Sequence, residues 1–173
     1  SVPTGLVLPG KRWEASWTGS QTLRHSGLAT LRTGFGASGE ATLLRHGKHW
    51  DGTVAWQLLP SLADRIPGLT VGVESVRNGV GRRSAYLAAT MEFNQYGQYN
   101  ADSPAQVTIG GGSGRLAGMF LGFHLPVTKH FALQAEYDSN SVGAGVEFRL
   151  PNRLAFQWFF RQNSTDLSLK VRF

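Results

Sequence analysis

Acidic and basic side chains recur at alternate positions in the second half of the chain. The pairs that stand two residues apart are Glu136 with Asp138, Glu147 with Arg149, and Lys170 with Arg172. Two residues is the repeat of a β-strand, so both members of each pair lie on one face of their strand. Opposite charges on neighbouring strands can then neutralise one another across a polar interior. The alternative is a substrate or proton site at Glu136, Asp138 and Glu147. We expect the structural role.

The same face of other strands extends this group. The side chains predicted to form a polar network in the interior are Glu74, Glu92, Gln134, Glu136, Asp138, Glu147, Arg149, Arg161, Lys170 and Arg172. A narrow polar interior with both signs of charge fills itself through such pairs.

The remaining residues give little support for a catalytic site or a metal site. The histidines are His25, His46, His49, His124 and His130, and the chain has no cysteine. No nucleophile elbow accompanies His124, for which a position in the interior or in a turn is favoured. His46 and His49 could share a metal ion only on a helix, whereas Gly47 and Asp51-Gly52 indicate a turn. The stretch Gly110–Gly114 lacks the lysine of a phosphate loop and predicts a flexible loop. We therefore predict no enzyme activity, no cofactor and no metal.

The distribution of charge does not indicate a nucleic-acid partner. The 173 residues carry a formal charge of +6, but the 17 Lys and Arg residues are scattered and no recognition motif organises them. A basic surface that faces anionic lipid or polysaccharide fits at least as well. We expect no nucleic-acid partner.

Strict alternation of apolar and polar residues predicts β-strands. It is clearest in the last four segments, Phe131–Asp138, Val142–Leu150, Leu154–Phe160 and Leu167–Phe173, with turns predicted at Ser139–Ser141, Pro151–Asn152 and Asn163–Asp166. Weaker candidates are Trp13–Trp17, Ala29–Phe35, Ala41–Leu43, Val54–Leu58, Leu69–Val73, Ala85–Phe93 and Ala117–Leu125. Eleven strands cannot close a single-chain bacterial barrel, which has an even number. A further strand at Gln106–Gly110 gives twelve, the expected number, and merging two early strands gives ten.

Side-chain bulk decides which face points inward. The apolar face carries many large side chains, among them Phe131, Phe148, Phe156, Trp158 and Phe160, which a small closed barrel could not hold in its lumen. The charged face therefore points inward, as in a transmembrane barrel. The alternative is a soluble barrel with the faces reversed. Five tryptophans near predicted strand ends form the expected interfacial aromatic belt: Trp13, Trp17, Trp50, Trp56 and Trp158.

The two ends of the chain fit an exported protein. Residues 1–10 have neither the basic nor the apolar region of a signal peptide, as expected for a mature chain whose leader was removed. Leu169, Val171 and Phe173 alternate in the last strand and resemble the C-terminal signal read by the bacterial barrel-assembly machinery. We predict a bacterial outer-membrane protein whose partners are outer-membrane lipid and that machinery.

Three stretches resemble the YjbH-like family of bacterial outer-membrane barrels, which is associated with exopolysaccharide production. They are Pro3–Gly10, residues 66–89 with Ile66–Glu74, Gly79–Gly81 and Ser84–Ala89, and residues 133–148 with Leu133–Asp138 and Val142–Phe148. The resemblance implies an outer-membrane barrel with envelope polysaccharide as its association, and transfers no catalytic residue. This chain is much shorter than the enterobacterial members.

These observations predict one domain, residues 1–173, with residues 1–10 as a lead-in to an all-β, antiparallel, up-and-down transmembrane barrel. Its predicted role is structural or binding, accessory to exopolysaccharide export or surface retention, with polysaccharide or envelope export proteins as partners. The alternatives are a narrow small-solute channel, an outer-membrane lipid-modifying enzyme and a soluble barrel that binds an apolar ligand.

Overall fold

The computed structural model describes residues 12–20, 27–62, 64–74, 83–93, 104–151, 153–162 and 164–173. They form twelve strands: β1 (Trp13–Ser20), β2 (Leu28–Phe35), β3 (Gly39–His46), β4 (His49–Leu59), β5 (Gly68–Glu74), β6 (Ser84–Phe93), β7 (Ala105–Gly112), β8 (Gly118–Thr128), β9 (Phe131–Tyr137), β10 (Val142–Arg149), β11 (Leu154–Arg161) and β12 (Ser164–Arg172). A short 3₁₀ helix, Gly114–Leu116, precedes β8. No helix in the described ranges is long and apolar enough to cross a membrane. The predicted lead-in, residues 1–10, lies outside the described residues.

The strands close into one ring in which each strand pairs antiparallel with its neighbours in sequence. β1 also pairs with β12, from Glu14 opposite Arg172 to Ser20 opposite Asp166, so the sheet has no edge. The predicted antiparallel up-and-down barrel of twelve strands is confirmed, with β7 supplying the strand predicted at Gln106–Gly110. Odd-numbered strands start at the end where β1 begins and β12 finishes, here called the terminal end. They run towards the opposite end, and even-numbered strands return.

Alternation along the strands separates an outer face from a lumen face. In β6 the lumen residues Ser84, Tyr86, Ala88 and Thr90 are buried, whereas Leu87 between them is 48% exposed. The exposed large apolar side chains of the other strands occupy the corresponding outer positions, including Phe123, Leu133, Phe148, Phe160 and Leu169. Most large aromatic and aliphatic side chains therefore face outward, and the lumen is lined by polar side chains, small residues and a few buried rings such as Tyr86 and Phe159.

Three predicted turns differ in the structure. Ser164, Thr165 and Asp166, predicted to be a turn, belong to β12, because Ser164 pairs with Arg161 and Thr165 with Phe160. Gly110, Gly111 and Gly112, predicted to be a loop, continue β7 opposite Ala88, Leu87 and Tyr86 respectively, and the loop begins only at Ser113. Asp51 and Gly52 lie in β4 opposite Leu44 and Leu43. In each case the cross-strand partner outweighs a local sequence that also suits turns.

Candidate functional site

The lumen-facing carboxylate of Glu147 is the centre of the densest polar cluster among the described residues. Its side chain is 2% exposed and its two oxygens contact different cations. Arg149 Nε donates to Oε1 at 2.9 Å, and Lys170 Nζ lies 3.3 Å from Oε2. The amide of Gln134 also donates to Oε2, at 3.3 Å. Three strands, β9, β10 and β12, thus direct donors onto one acid, which lets a buried charge persist.

Two further groups join this cluster, here called the Glu147 cluster. Gln157 on β11 donates its amide to Gln134 Oε1, which bridges the gap between β9 and β11. His124 on β8 places Nε2 3.1 Å from a terminal nitrogen of Arg149, while its Nδ1 is buried and has no hydrogen-bond partner among the described residues. The preferred interior position of His124 matches this placement. Together these residues extend the Glu147 cluster over five adjacent strands, β8 to β12.

Other charged lumen residues form separate ion pairs. Arg161 lies 3.5 Å from Glu136, and Arg172 Nε lies 2.9 Å from Glu14. On the far side of β1, Arg32 on β2 contacts Glu40 on β3 at 2.6 Å. The sequence predicted neutralisation by arginine, but Glu14, Arg32 and Glu40 were not among the predicted residues. Their partners depend on the register of the ring, which the weak alternation of the early strands did not reveal.

In each of these ion pairs the acid is the more buried partner. The side chain of Arg172 is 50% exposed against 14% for Glu14, and Arg161 is 31% exposed against 19% for Glu136. Lys170 is 21% exposed beside the almost fully buried Glu147. The carboxylates therefore lie against the wall, and the cationic heads are the groups that solvent in the lumen can reach.

Large rings on the lumen face lie flat on glycines of a neighbouring strand. The ring of Tyr86 covers Gly72, which is directly opposite on β5, and a Cβ atom at Gly72 would collide with it. Phe159 on β11 covers Gly145 on β10 in the same way. Both rings are nearly buried, because a residue without a side chain lets the ring lie against the sheet. These aromatic groups belong to the wall of the barrel.

Asp138 does not belong to the lumen network, contrary to the prediction. It follows β9, and its Oδ1 accepts hydrogen bonds from the hydroxyl and N–H of Ser141 and from the N–H of Asn140. Burial alone would raise the pKa of Asp138, but these hydrogen bonds, with Arg161 nearby, hold the pKa below its usual range. Its role is to close the β9–β10 turn, as aspartates commonly do.

Glu74 and Glu92 face the lumen as predicted but make no direct contact with the Glu147 cluster in the described residues. Glu74 ends β5 opposite Thr53, and Glu92 on β6 accepts a hydrogen bond from Gln106 at 3.4 Å. Hydroxyl pairs line other parts of the lumen, with Thr90 to Thr108 and Thr18 to Ser168 both at 2.7 Å. The sequence analysis did not identify these threonines because they carry no charge, although their alternate spacing places them on the polar face.

The five tryptophans all lie on the outer face and are 43–56% exposed. Trp13 and Trp50 stand at strand ends, and the guanidinium of Arg45 lies over the Trp50 ring at 5.3 Å. Trp17 and Trp158 lie in the middle of β1 and β11, away from the strand ends that the sequence suggested. The outer face at the terminal end of β12 carries Leu169, Val171 and Phe173. Their role as an assembly signal stays a prediction.

Histidines form no metal site in the described part of the chain. His46 and His49 pair across the two-residue turn at Gly47-Lys48, and no group of three His, Asp or Glu residues is placed to hold a metal ion there. His130 in the β8–β9 turn contacts the carbonyl oxygen of Arg149 at 3.1 Å. His25 lies outside the described residues.

A closed twelve-stranded barrel with an apolar outer face and a charged lumen is a porin-like fold. The solved structure described as "KdgM porin" shares it, with a TM-score of 0.60 and 10% sequence identity, over 94% of this chain and 98% of that one. No family model matches the sequence, and no curated protein is similar to it. The comparisons thus show the fold alone and add nothing to the resemblance to YjbH-like proteins.

Proposed function

We propose that this protein is a bacterial outer-membrane barrel that forms a narrow channel for small polar solutes. The observation that carries the proposal is the charged lining of the closed ring, whose cationic heads are open to solvent at both ends: Arg172 is 50% exposed at the terminal end and Arg161 is 31% exposed at the other end. Water therefore reaches charged groups at each mouth of the lumen.

The outer face supports the membrane location. Its exposed apolar side chains include Trp17, Leu87, Ile109, Met119 and Val142, each 48–57% exposed. A protein in water rarely exposes apolar patches of such extent, whereas lipid is their natural solvent. The closed ring also satisfies the requirement that no backbone hydrogen-bonding group of the sheet faces hydrocarbon. The similar fold of the KdgM porin agrees with a pore.

The rings of Tyr86 and Phe159 limit the width of the passage. Each covers a glycine of the next strand, and they are only 8% and 5% exposed, so other lumen side chains pack against them. The proposed channel is therefore narrow at the level of these rings.

The experiment is single-channel recording on the purified protein in planar bilayers. Discrete conductance steps that appear only with folded protein, identified by its heat-modifiable gel band, support the channel. Folded protein that inserts and yields no steps, and that admits no small sugar in liposome swelling, overturns it. Protein that is monodisperse without detergent would overturn the membrane location as well.

A structural or binding role, accessory to exopolysaccharide export or retention, is the second candidate. It is favoured by the Glu147 cluster, whose many cross-strand contacts brace the wall, and by the resemblance of the stretches at Ile66–Glu74 and Leu133–Asp138 to YjbH-like proteins. Deletion of the gene with loss of surface polysaccharide, together with an absence of conductance, would favour this candidate over the channel. A lipid-modifying activity keeps no observation in its favour.

A further inference from the structure

Charge is distributed unevenly round the ring. Within their strand bounds, β4, β5 and β6 place the acids Asp51, Glu74 and Glu92 on the lumen face and no lysine or arginine. β10, β11 and β12 place four bases there, Arg149, Arg161, Lys170 and Arg172, with the acids Glu147 and Asp166. These two groups of strands are called the acidic wall and the basic wall.

The two walls face one another. In a closed ring of twelve strands, β4 is six steps from β10 in either direction, as are β5 from β11 and β6 from β12. The intervening strands carry paired charges, since β2 and β3 hold the Arg32–Glu40 pair, and Glu14 on β1 and Glu136 on β9 pair with bases of the basic wall. With these acids counted, the four bases of β10–β12 are matched in number by Glu14, Glu136, Glu147 and Asp166, so the opposition between the walls lies in exposure: the cationic heads are more open to the lumen than the acids that pair with them.

The opposition holds at both ends of the barrel. At the end away from the termini, Asp51 and Glu74 on the acidic wall are opposite the strand that ends at Arg161. At the terminal end, Glu92 is opposite β12, which finishes at Arg172, and Arg149 stands at the same end on β10, with β11 between those two strands. Asp166 is the one acid of the basic wall that lies outside an ion pair among the described residues. A solute that travels the lumen therefore passes between opposite charges on entry and on exit.

The basic wall presents cations even though it contains Glu147. That carboxylate is 2% exposed behind Arg149 and Lys170, so the lumen meets the cationic heads first. The acidic wall has no such cover at Asp51 and Glu92, which form no ion pair in the described ranges and are half-buried at the lumen surface. Fixed charges of opposite sign on facing low-dielectric walls produce a field across the passage.

We propose that this field makes the lumen selective for zwitterionic solutes, small molecules that carry one cationic and one anionic group. Such a molecule places its ammonium towards β4–β6 and its anionic group towards β10–β12. A solute with one charge is attracted by one wall and repelled by the other. The proposal rests on the proposed channel function and names the class of solute that the channel prefers.

The test compares three solutes of nearly equal size in proteoliposomes. The probes are 6-aminohexanoic acid, hexanoate and hexylammonium, and swelling rates are normalised to uncharged 1,6-hexanediol. We expect the zwitterion to enter about twofold faster or more than either singly charged analogue, since focusing raises the local concentration of a matched solute. Equal rates for all three, with hexanediol still entering, overturn the zwitterion preference alone. No entry of any solute overturns the channel itself.

Charge-removal variants then test the two walls. The double variant Asp51→Asn with Glu92→Gln removes two negative charges from the acidic wall. The double variant Arg161→Gln with Arg172→Gln removes two positive charges from the basic wall. In a potassium chloride gradient we expect the first double variant to shift the reversal potential towards anions and the second towards cations, with the zwitterion advantage lost in both. Arg45→Gln, on the outer face over the Trp50 ring, is the control for loss of a charge outside the lumen and should change neither quantity. Shifts in the same direction for both double variants overturn the proposal, provided that each retains the heat-modifiable band.

Discussion

Lys170 reaches Glu147 over an intervening strand. Its Nζ on β12 lies 3.3 Å from Oε2 of the carboxylate on β10, with β11 between the two strands. Neighbouring strands are about 4.8 Å apart, so strands on either side of a third are about twice that distance apart. The inward curvature of a closed wall and the length of the lysine chain make the contact. The ion pair therefore reports the curvature of the barrel as well as its charge.

Glu147→Gln should destabilise the barrel strongly. The substitution leaves Arg149 and Lys170 in the lumen without their buried counter-charge, and breaking a buried pair typically costs about 3–5 kcal/mol. The measurement is the free energy of unfolding in detergent micelles, followed by tryptophan fluorescence in guanidinium chloride.

The matched control is Glu14→Gln. Glu14 also pairs with an arginine at 2.9 Å, but that partner, Arg172, is half exposed, so the expected loss is about 1 kcal/mol or less. Equal losses for the two variants would show that burial of Glu147 contributes nothing to the strength of its contacts.

Gly72→Ala should narrow the lumen by displacing Tyr86. A methyl group at this position collides with the ring, which must move away from the wall. We expect lower single-channel conductance together with lower stability. The double variant Gly72→Ala with Tyr86→Ala should restore conductance, because the ring that was pushed inward is gone.

Gly52→Ala is the control for the glycine prediction. A Cβ at Gly52 would meet only the carbonyl oxygen of Thr42, at an ordinary 3.5 Å. Its conductance should equal that of the unmodified protein. A Gly72→Ala channel of unchanged conductance would mean that the ring does not limit the passage.

An arginine introduced on the outer face should destabilise the barrel, whereas an arginine introduced on the lumen face should not. Ile109 is 50% exposed on the outer face in the middle of β7, so Ile109→Arg would place a charge in lipid at a cost of about 2–4 kcal/mol. Gln106→Arg on the lumen face of the same strand gains Glu92 as a partner and should be nearly neutral. Unfolding from lipid vesicles measures both. A neutral Ile109→Arg would contradict the membrane location.

Acid should weaken the β9–β10 turn through Asp138. Because folding lowers the pKa of this carboxyl, its contribution to stability is complete above the unfolded value of about 3.9 and is lost as pH falls through the lower folded value. Unfolding free energies of the unmodified protein and of Asp138→Asn should differ at pH 7 and converge as the pH falls below the lowered folded pKa of Asp138. A difference that does not change with pH would assign the effect to turn geometry alone.

Sequence periodicity predicted the fold well where one face is uniformly apolar. β9 to β12 alternate so regularly that their faces and order follow from spacing alone. The size of the side chains then identified the inner face, because Trp158 and its aromatic neighbours are too large for a small lumen. The weaker early strands were located, but their ends were not.

The sequence did not predict which charged side chains of the lumen pair with one another. Glu14 meets Arg172 only because β1 closes on β12, and Arg32 meets Glu40 only in one register of the β2–β3 hairpin. Asp166 was predicted in a turn because local polarity resembles turn chemistry, although its place opposite Ser20 and Phe159 makes it part of a strand. Such contacts depend on ring closure and register, which local patterns do not encode.

The seam between β1 and β12 also bears on how the chain folds. Every other strand pair joins neighbours in sequence, whereas the Thr18 hydroxyl meets Ser168 across 150 residues. Hairpins of local contacts can form early, but the seam pays the entropy of the largest loop and so closes late. Until then β1 and β12 each expose an unpaired backbone edge that can recruit another chain. Closure is therefore the step at which the nascent barrel stops being prone to aggregation, and an assembly factor that templates a free strand edge would act in that interval.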